Sequence, residues 1–334
     1  MVLVTGGTGL VGAHLLLQLV KTNTSVKAIY RDESSFEALK KCFSFYVSNP
    51  DDIFTKIEWF KADITNIPQL TEAFIDVKEV YHCAAMISFT PSDFDALKKT
   101  NIEGTANIVN LCLSYGVSKL CYVSSIATLG ATLNDDKITE DTHWNNEAKN
   151  SVYAISKYGA ELEVWRGTQE GLNAVIVNPG VIIGPGFWYK GSGSLIRKVD
   201  KGLNYFTTGI TGFVGVNDVV DAMLKLMKSS IINERFVLVS ENWNYKEFFN
   251  AIAKSLKKSA PKQKASRLLL EIAWRIDWLK HTLFNSKRKF TKSMAKTALK
   301  KDSYSAHKIK NTLNYSFQTI NEVIEQTCEI YISK

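Results

Sequence analysis

The run Met1-Val2-Leu3-Val4-Thr5-Gly6-Gly7-Thr8-Gly9-Leu10-Val11-Gly12 decides how the chain is read. Val2, Leu3 and Val4 make a short apolar, β-prone run of the kind that fills a buried parallel strand. Residues 10–20 are dense in leucine and valine and long enough for a helix packed on a sheet. Between strand and helix stand Gly6, Gly9 and Gly12, three apart. Gly6 lets the chain leave the strand at dihedrals that other residues avoid. Gly9 keeps the backbone bare where a pyrophosphate approaches, and Gly12 lets the helix sit close to the strand. The free N–H groups at the helix start, where Leu10 and Val11 stand, then face the phosphates. A strand before such a turn and a helix after it are the context that a dinucleotide site requires.

The spacing is three-and-three, not the two-and-three of G-x-G-x-x-G. Thr5-Gly6-x-x-Gly9-x-x-Gly12 resembles the short-chain dehydrogenase/reductase superfamily, specifically its extended branch, the NAD-dependent epimerase/dehydratase family, in dihydroflavonol-reductase-like form. The resemblance implies an α/β fold: a Rossmann-type doubly wound parallel sheet with a smaller, mostly helical C-terminal substrate lobe. Residues 1–183 would bind NAD(P), with 212–240 returning to that domain, and 184–211 and 241–334 would form the substrate lobe. The resemblance covers residues 1–240 well and the remainder poorly.

Further motifs follow in the order that fold demands. A second strand, Val26–Tyr30, ends in Arg31-Asp32-Glu33-Ser34, where the adenosine ribose is met. An acid at that tip suits NAD, and an arginine suits the 2′-phosphate of NADP. Arg31 comes first, so NADP is expected, with NAD the alternative; Asp32 is then a cap for a helix over 34–41. The tip of plant dihydroflavonol reductases, which use NADPH, is similar. A third strand, 57–62, leads to Asp63-Ile64, which by resemblance contact the adenine; an N-cap for the helix after Pro68 is the other role open to Asp63. The fourth strand, Val80-Tyr81-His82-Cys83-Ala84-Ala85, resembles the His-x-Ala-Ala signature of extended reductases and epimerases. Small residues at Cys83, Ala84 and Ala85 let the nicotinamide ribose lie against the backbone, and His82 reads as a packed, neutral strand histidine. A long helix is expected over 94–115.

The chemistry falls at the end of the fifth strand, 120–123, and on the helix after it. Ser124 and Ser125 stand at the C-terminal edge of an open sheet, where ligands bind. By resemblance the reactive hydroxyl lies five residues before Gly130, which selects Ser125. Tyr153-Ala154-Ile155-Ser156-Lys157 places a phenol and an ammonium four apart, on one helix face. A tyrosine titrates near 10 when unperturbed, and an adjacent cation is expected to bring it toward working pH. Such a phenol exchanges a proton with a carbonyl or alcohol oxygen. By resemblance Ser125, Tyr153 and Lys157 form the catalytic triad, with Tyr153 and Lys157 also touching the cofactor. Asn178-Pro179-Gly180-Val181, followed by Gly184-Pro185-Gly186, resembles the segment along the nicotinamide and adds Pro179 and Val181 to the site. The polar loop over 132–150 is expected to cover the pocket.

Composition narrows the partners. The chain has 334 residues, 45% hydrophobic and 22% charged, which is ordinary for a globular protein. Its five cysteines have neither paired nor metal-type spacing, so reduced cytoplasmic thiols and no metal are expected. The first strand starts at Met1 or Val2, so no signal peptide is expected. Between Lys254 and Lys310 stand 17 Lys/Arg and 3 Asp/Glu, leaving +14 there and −6 over the rest of a chain whose total is +8. That excess suits an anionic small-molecule substrate or a membrane surface, against the alternative of a solvated basic face. No nucleic-acid motif accompanies it. The apolar stretch 268–279 reads as a lobe helix buried against its neighbours, with a membrane surface or a lipid-like substrate as the other reading. Membrane association is therefore not expected. The helices over 94–115 and 152–168 suit a homodimer built as a four-helix bundle.

The first reaction expected is NADP-dependent reduction of a carbonyl, or oxidation of an alcohol, as in dihydroflavonol and cinnamoyl-CoA reductases. A nucleotide-sugar epimerase with retained NAD is the alternative. A 4,6-dehydratase is disfavoured because Ile126-Ala127 stand where that enzyme carries Asp-Glu. A non-catalytic NADP sensor is the third class, and the intact Ser125, Tyr153 and Lys157 argue against it.

Overall fold

A computed structural model describes residues 1–132, 136–284, 286, 288 and 290–333. Its first half alternates strand and helix: β1 (Val2–Thr5), α1 (Leu10–Lys21), β2 (Val26–Tyr30), α2 (Ser35–Phe43), α3 (Asp51–Phe54), β3 (Ile57–Lys61), α4 (Ile67–Ala73) and β4 (Glu79–His82). The helix expected over 94–115 is broken into α5 (Phe94–Leu97), a π-helical turn over Lys98–Glu103 and α6 (Gly104–Ser114). β5 (Lys119–Val123), α7 (Val152–Gln169) and β6 (Ala174–Pro179) complete the series. Of the loop expected to cover the pocket, residues 133–135 lie outside the described residues.

The second half begins with β7 (Val181–Ile183), α8 (Gly193–Asp200), β8 (Tyr205–Phe206), β9 (Ile210–Gly215), α9 (Val216–Lys228), β10 (Glu234–Leu238) and β11 (Glu241–Asn244). It ends with α10 (Tyr245–Ser255), β12 (Gln263–Lys264), α11 (Arg267–Phe284), α12 (Lys292–Thr297), α13 (His307–Leu313) and α14 (Ile320–Ile332).

Seven strands form one parallel sheet in the order β10-β6-β5-β4-β1-β2-β3. The direction of winding reverses between β1 and β4, so a crevice opens at their carboxyl ends, where an open α/β sheet binds its ligand. One face carries α1 and α9, burying Leu15, Leu16, Val219 and Met223 among the strand residues. The other carries α4, α6 and α7, burying Leu70, Ile108 and Val164. Helices enclosed in this way are apolar around most of their circumference, which is why residues 10–20 show little amphipathic pattern. Each fully buried leucine contributes roughly 1.5–3 kcal/mol.

β9 does not join this sheet: it pairs with β7 and β11 in a three-stranded sheet. A third core gathers there, from Phe213, Phe248, Ile252, Ile324 and Cys328. Leu313-Asn314-Tyr315 stands where the resembled family carries a glycine in the middle. Asn314 takes the left-handed conformation, φ 49°, which asparagine tolerates better than other residues with a side chain. The turn delivers the Tyr315 hydroxyl to the Asp218 carbonyl at 2.8 Å.

Two sequence expectations are corrected. The helix cap after β3 is Asn66, whose side chain accepts from the Gln69 N–H; Asp63 instead accepts from the Thr65 N–H and hydroxyl, at 2.8 and 2.7 Å. The stretch 268–279 is not buried: within α11 only Leu270 is, and Leu268 and Ile272 are 70% and 46% exposed.

Candidate active site

The glycine turn and the end of β4 meet across the crevice. Gly6 has φ +69°, and a Cβ on it would stand 2.6 Å from the Ala84 nitrogen. A Cβ on Gly12 would lie 2.2 Å from the Gly6 carbonyl oxygen, so only glycine lets α1 start so close to the strand. Gly9 differs: a Cβ there would meet only the Gly6 carbonyl oxygen, at 3.4 Å. Its outer side is open. Gly9 is the N-cap of α1, with no side-chain cap and no acid in the first turn. The N–H groups at Leu10, Val11 and Gly12 therefore keep their positive end for an anion. A bare glycine and an uncapped helix start, placed at the switch point, fit a dinucleotide pyrophosphate.

The floor of the crevice is held by a histidine. His82 is fully buried at the end of β4. Thr5 Oγ1 accepts from the Ala84 N–H at 3.2 Å and stands 2.6 Å from His82 Nδ1. The other ring nitrogen, Nε2, shares a hydrogen bond with Thr105 Oγ1 at 3.0 Å, so one nitrogen of the ring donates and the other accepts. Desolvation, with the Lys157 charge adding to it, holds the His82 pKa down at about 3. The ring is neutral and structural. Cys83 and Ala84 beyond it are half-buried, and Ala85 is exposed, so this edge offers small residues to a ligand.

Beyond the end of β2, the Asp32 carboxylate accepts from the Ser34 N–H at 2.9 Å. Arg31 is 70% exposed, and its only ion pair among the described residues is a loose one, 3.8 Å from Asp63. Burial pushes the Asp63 carboxyl up, yet the two Thr65 bonds, Arg31 and Lys99 outweigh it and hold the pKa below the usual value. Ile64 is buried against Gly104 and offers its carbonyl to Asn107 at 3.0 Å.

Ser125 and Tyr153 come together beyond β5. Ser125 sits at the strand end and caps a 3-10 turn through the Ala127 N–H. Its side chain stands by the Tyr153 phenol and acts to lower its pKa; the phenol lies one residue into α7, behind the Ser151 cap. Phe89 lies against the Tyr153 ring, with centroids 5.4 Å apart. Lys157 is buried one helical turn on. Its ammonium donates to the Tyr122 hydroxyl at 2.6 Å and to the Val123 carbonyl at 2.8 Å. Pro179 is buried at the end of β6, and Val181 is half-buried at the start of β7.

The electrostatics differ from the sequence expectation. Burial pushes the Tyr153 phenol up to about 12, with Ser125 only partly opposing it. Burial also drives Lys157 down to about 7 against the pull of Glu161 and Cys83. The low-dielectric surroundings penalise both charged forms, and the ammonium is engaged by Tyr122 and Val123. Lys157 therefore does not bring the phenol toward neutrality; Tyr153 is a protonated acid at pH 7.

Sequence reading missed two residues that hold these groups. Asn101, buried in the π-helical turn, accepts from the Met86 N–H and donates to the Met86 carbonyl and to Ser156 Oγ, clamping the segment after β4 to α7. A polar residue inside an apolar helical pattern was the available signal. Glu161, 2% exposed at its side chain, accepts from Ser124, Thr128 and Asn178, and pairs with Arg235 on β10 at 2.8 Å. No local pattern foretells a pair set by strand order.

A family model, described as the NAD dependent epimerase/dehydratase family, matches residues 2–238. The chain belongs to that family. Among curated relatives of this epimerase/dehydratase member, a putative dihydroflavonol 4-reductase of Synechocystis sp. is 32% identical over 183 residues, 54% of this chain and 49% of that protein. The alignment thus spans about half that relative's length. Sterol demethylase protein B of Methylococcus capsulatus is 28% identical over 246 residues, covering 72% of this chain and 70% of that protein. Among solved structures, gox2253 superposes with a TM-score of 0.81 at 24% identity, covering 100% of this chain and 98% of that one. The UDP-glucose 4-epimerase of Thermotoga maritima gives 0.77 at 19% identity over 99% and 98%. At these identities the structures speak for the fold alone.

Proposed function

We propose that the protein is an NADP(H)-dependent oxidoreductase that reduces a carbonyl group of a small-molecule substrate. The observation that carries this reading is the placement of the Tyr153 phenol beside Ser125 at the carboxyl end of β5, by the switch-point crevice. When bound at the glycine turn, the dinucleotide supplies hydride at its nicotinamide. Tyr153 gives its proton to the substrate oxygen as charge develops there. Ser125 donates a hydrogen bond to that oxygen and polarises it. Lys157, held by Tyr122 and Val123 one turn beyond Tyr153, would hold the nicotinamide ribose. Cys83, Ala84, Ala85, Pro179 and Val181 shape the nicotinamide pocket. Arg31 binds the 2′-phosphate, since it is exposed and only loosely held, while Asp32 is turned toward Ser34. Asp63 and Ile64 sit beside the adenine. Residues 1–183 and 212–240 serve the cofactor, and 184–211 and 241–334 serve the substrate.

Reductases among the relatives, including an anthocyanidin reductase of Arabidopsis thaliana at 27% identity, support the reaction class. The second reading, a nucleotide-sugar epimerase with retained NAD, is favoured by the excess of cations over 254–310. Mass spectrometry of the purified protein under native conditions separates the two. A mass without cofactor that rises on addition of NADPH supports the reductase; NAD retained through purification overturns it.

A further inference from the structure

The outward face of α11 carries Leu268, Ile272, Ile276, Leu279 and Leu283, spaced four, four, three and four residues apart. At 100° per residue they fall within an arc of about 80°. All five are exposed, from 46% at Ile272 to 70% at Leu268, and Phe284 at the end of the helix is 76% exposed. The opposite side buries Leu270 and packs Trp274 onto Ala295 and its neighbours around α12. The helix is thus seated by one edge and leaves its apolar stripe outward.

Charge borders the stripe. Arg275 and Lys280 fall on its two flanks, and Lys292, Lys296 and Lys300 stand exposed on and just after the adjoining α12. The two acids of α11 lie off the stripe and are paired: Glu271 with Arg275 at 2.5 Å and Asp277 with Arg288 at 2.7 Å. The surrounding segment, Lys254 to Lys310, holds 17 Lys/Arg against 3 Asp/Glu. A second copy docked stripe to stripe would bring two such cationic segments together, which opposes self-association. Among the described residues no helix is long and apolar enough to cross a membrane. An apolar stripe flanked by cations, on a helix that does not span, is the pattern of a helix lying in the plane of a membrane interface.

We propose that α11 docks the protein on an anionic lipid surface, with the five-residue stripe among the acyl chains and the flanking lysines and arginines at the headgroups. This departs from the sequence expectation of no membrane association, which rested on a buried helix.

The test is co-sedimentation of the full chain with phosphatidylcholine vesicles, with and without about 30% phosphatidylserine. Wild type is expected to bind the anionic vesicles at least about tenfold more tightly than the neutral ones, and to release as salt rises from about 0.1 to 0.5 M. An Ile272→Asp/Ile276→Asp variant breaks the stripe, and a Lys280→Glu/Lys296→Glu variant breaks the charge. Both should stay in the supernatant, with circular dichroism and NADPH binding unchanged, since all four side chains are exposed. Wild type left in the supernatant overturns the proposal, as does equal binding to neutral vesicles. A wild-type dimer in lipid-free buffer that Ile272→Asp/Ile276→Asp dissociates also overturns it, by making the stripe a seam between copies.

Discussion

The ammonium of Lys157 is 2.6 Å from the hydroxyl of Tyr122 and 4.3 Å from the centre of that ring. Helix α7 is therefore pinned to β5 through its lysine, one turn beyond Tyr153. Removing the hydroxyl takes away an acceptor that favours the charged amine, so Tyr122→Phe should move the Lys157 titration below its value of about 7. In the pH profile of kcat/KM the corresponding limb should shift to lower pH. An unmoved profile with normal turnover would detach Lys157 from the rate-determining step.

Tyr153→Phe keeps the ring against Phe89 and removes the proton donor. Turnover should fall on the order of 10²–10⁴-fold or more, while NADPH binding measured by fluorescence titration stays near wild type. Ser125→Ala should lower kcat more than it raises KM, because its contribution is to the developing charge. Undiminished turnover in Tyr153→Phe would take the phenol out of the mechanism.

Arg31→Ala should weaken NADPH binding by roughly 10- to 100-fold, the loss expected for a charge-assisted contact, and leave NADH nearly unchanged. Calorimetric titration of both cofactors checks it. An equal loss for both would assign Arg31 to the ribose or adenine instead of the 2′-phosphate.

Burial holds His82 down at about 3 and His14 at about 4, against an ordinary value of 6.5. Both stay neutral in the folded chain while the unfolded chain takes up their protons. Their contribution to stability is complete above about pH 6.5 and is lost as pH falls toward 4 and 3, each with a limiting slope of about 1.4 kcal/mol per pH unit. Urea unfolding at several pH values should give a His82→Gln variant whose stability falls less steeply with acid than that of wild type. Parallel curves would mean that His82 is protonated in the fold.

The outer surface around α6 and α7 leaves Tyr115, Ile155 and Leu162 exposed at 37%, 39% and 47%. A homodimer through these helices should sediment as one species of twice the chain mass at micromolar concentration, and Leu162→Glu should shift it to monomer. A monomeric wild type would refute the four-helix interface.

The inner strands of the large sheet, such as β1 and β2, were legible because each is a short, mostly apolar run buried on both faces; Val26–Tyr30 was read to the residue. The turn at Gly6 and the pair Tyr153 and Lys157 were legible because spacing alone carries their geometry. Side-chain electrostatics were not. The Tyr153-to-Lys157 spacing names two neighbours, but the surroundings of the ammonium depend on Tyr122 and Val123, brought there from β5 by packing. The fate of α11 was hidden for a related reason: an apolar stripe reads the same whether a neighbour covers it or not. Asn66 took the cap offered to Asp63 because Asp63 is engaged by Thr65.

The pairing of Glu161 with Arg235 also bears on how the molecule is made. The acid belongs to α7 and is buried beneath Ser124, while its cation arrives on β10, 74 residues later. A nascent chain that has emerged only through β6 has six of the seven strands of the large sheet and no arginine for that carboxylate. An unpaired buried charge is costly, and the Glu161 carboxylate gains its cation only when β10 adds beside β6 at the sheet edge. The helix that carries Tyr153 is thereby tied to the strand of the large sheet that is synthesised last.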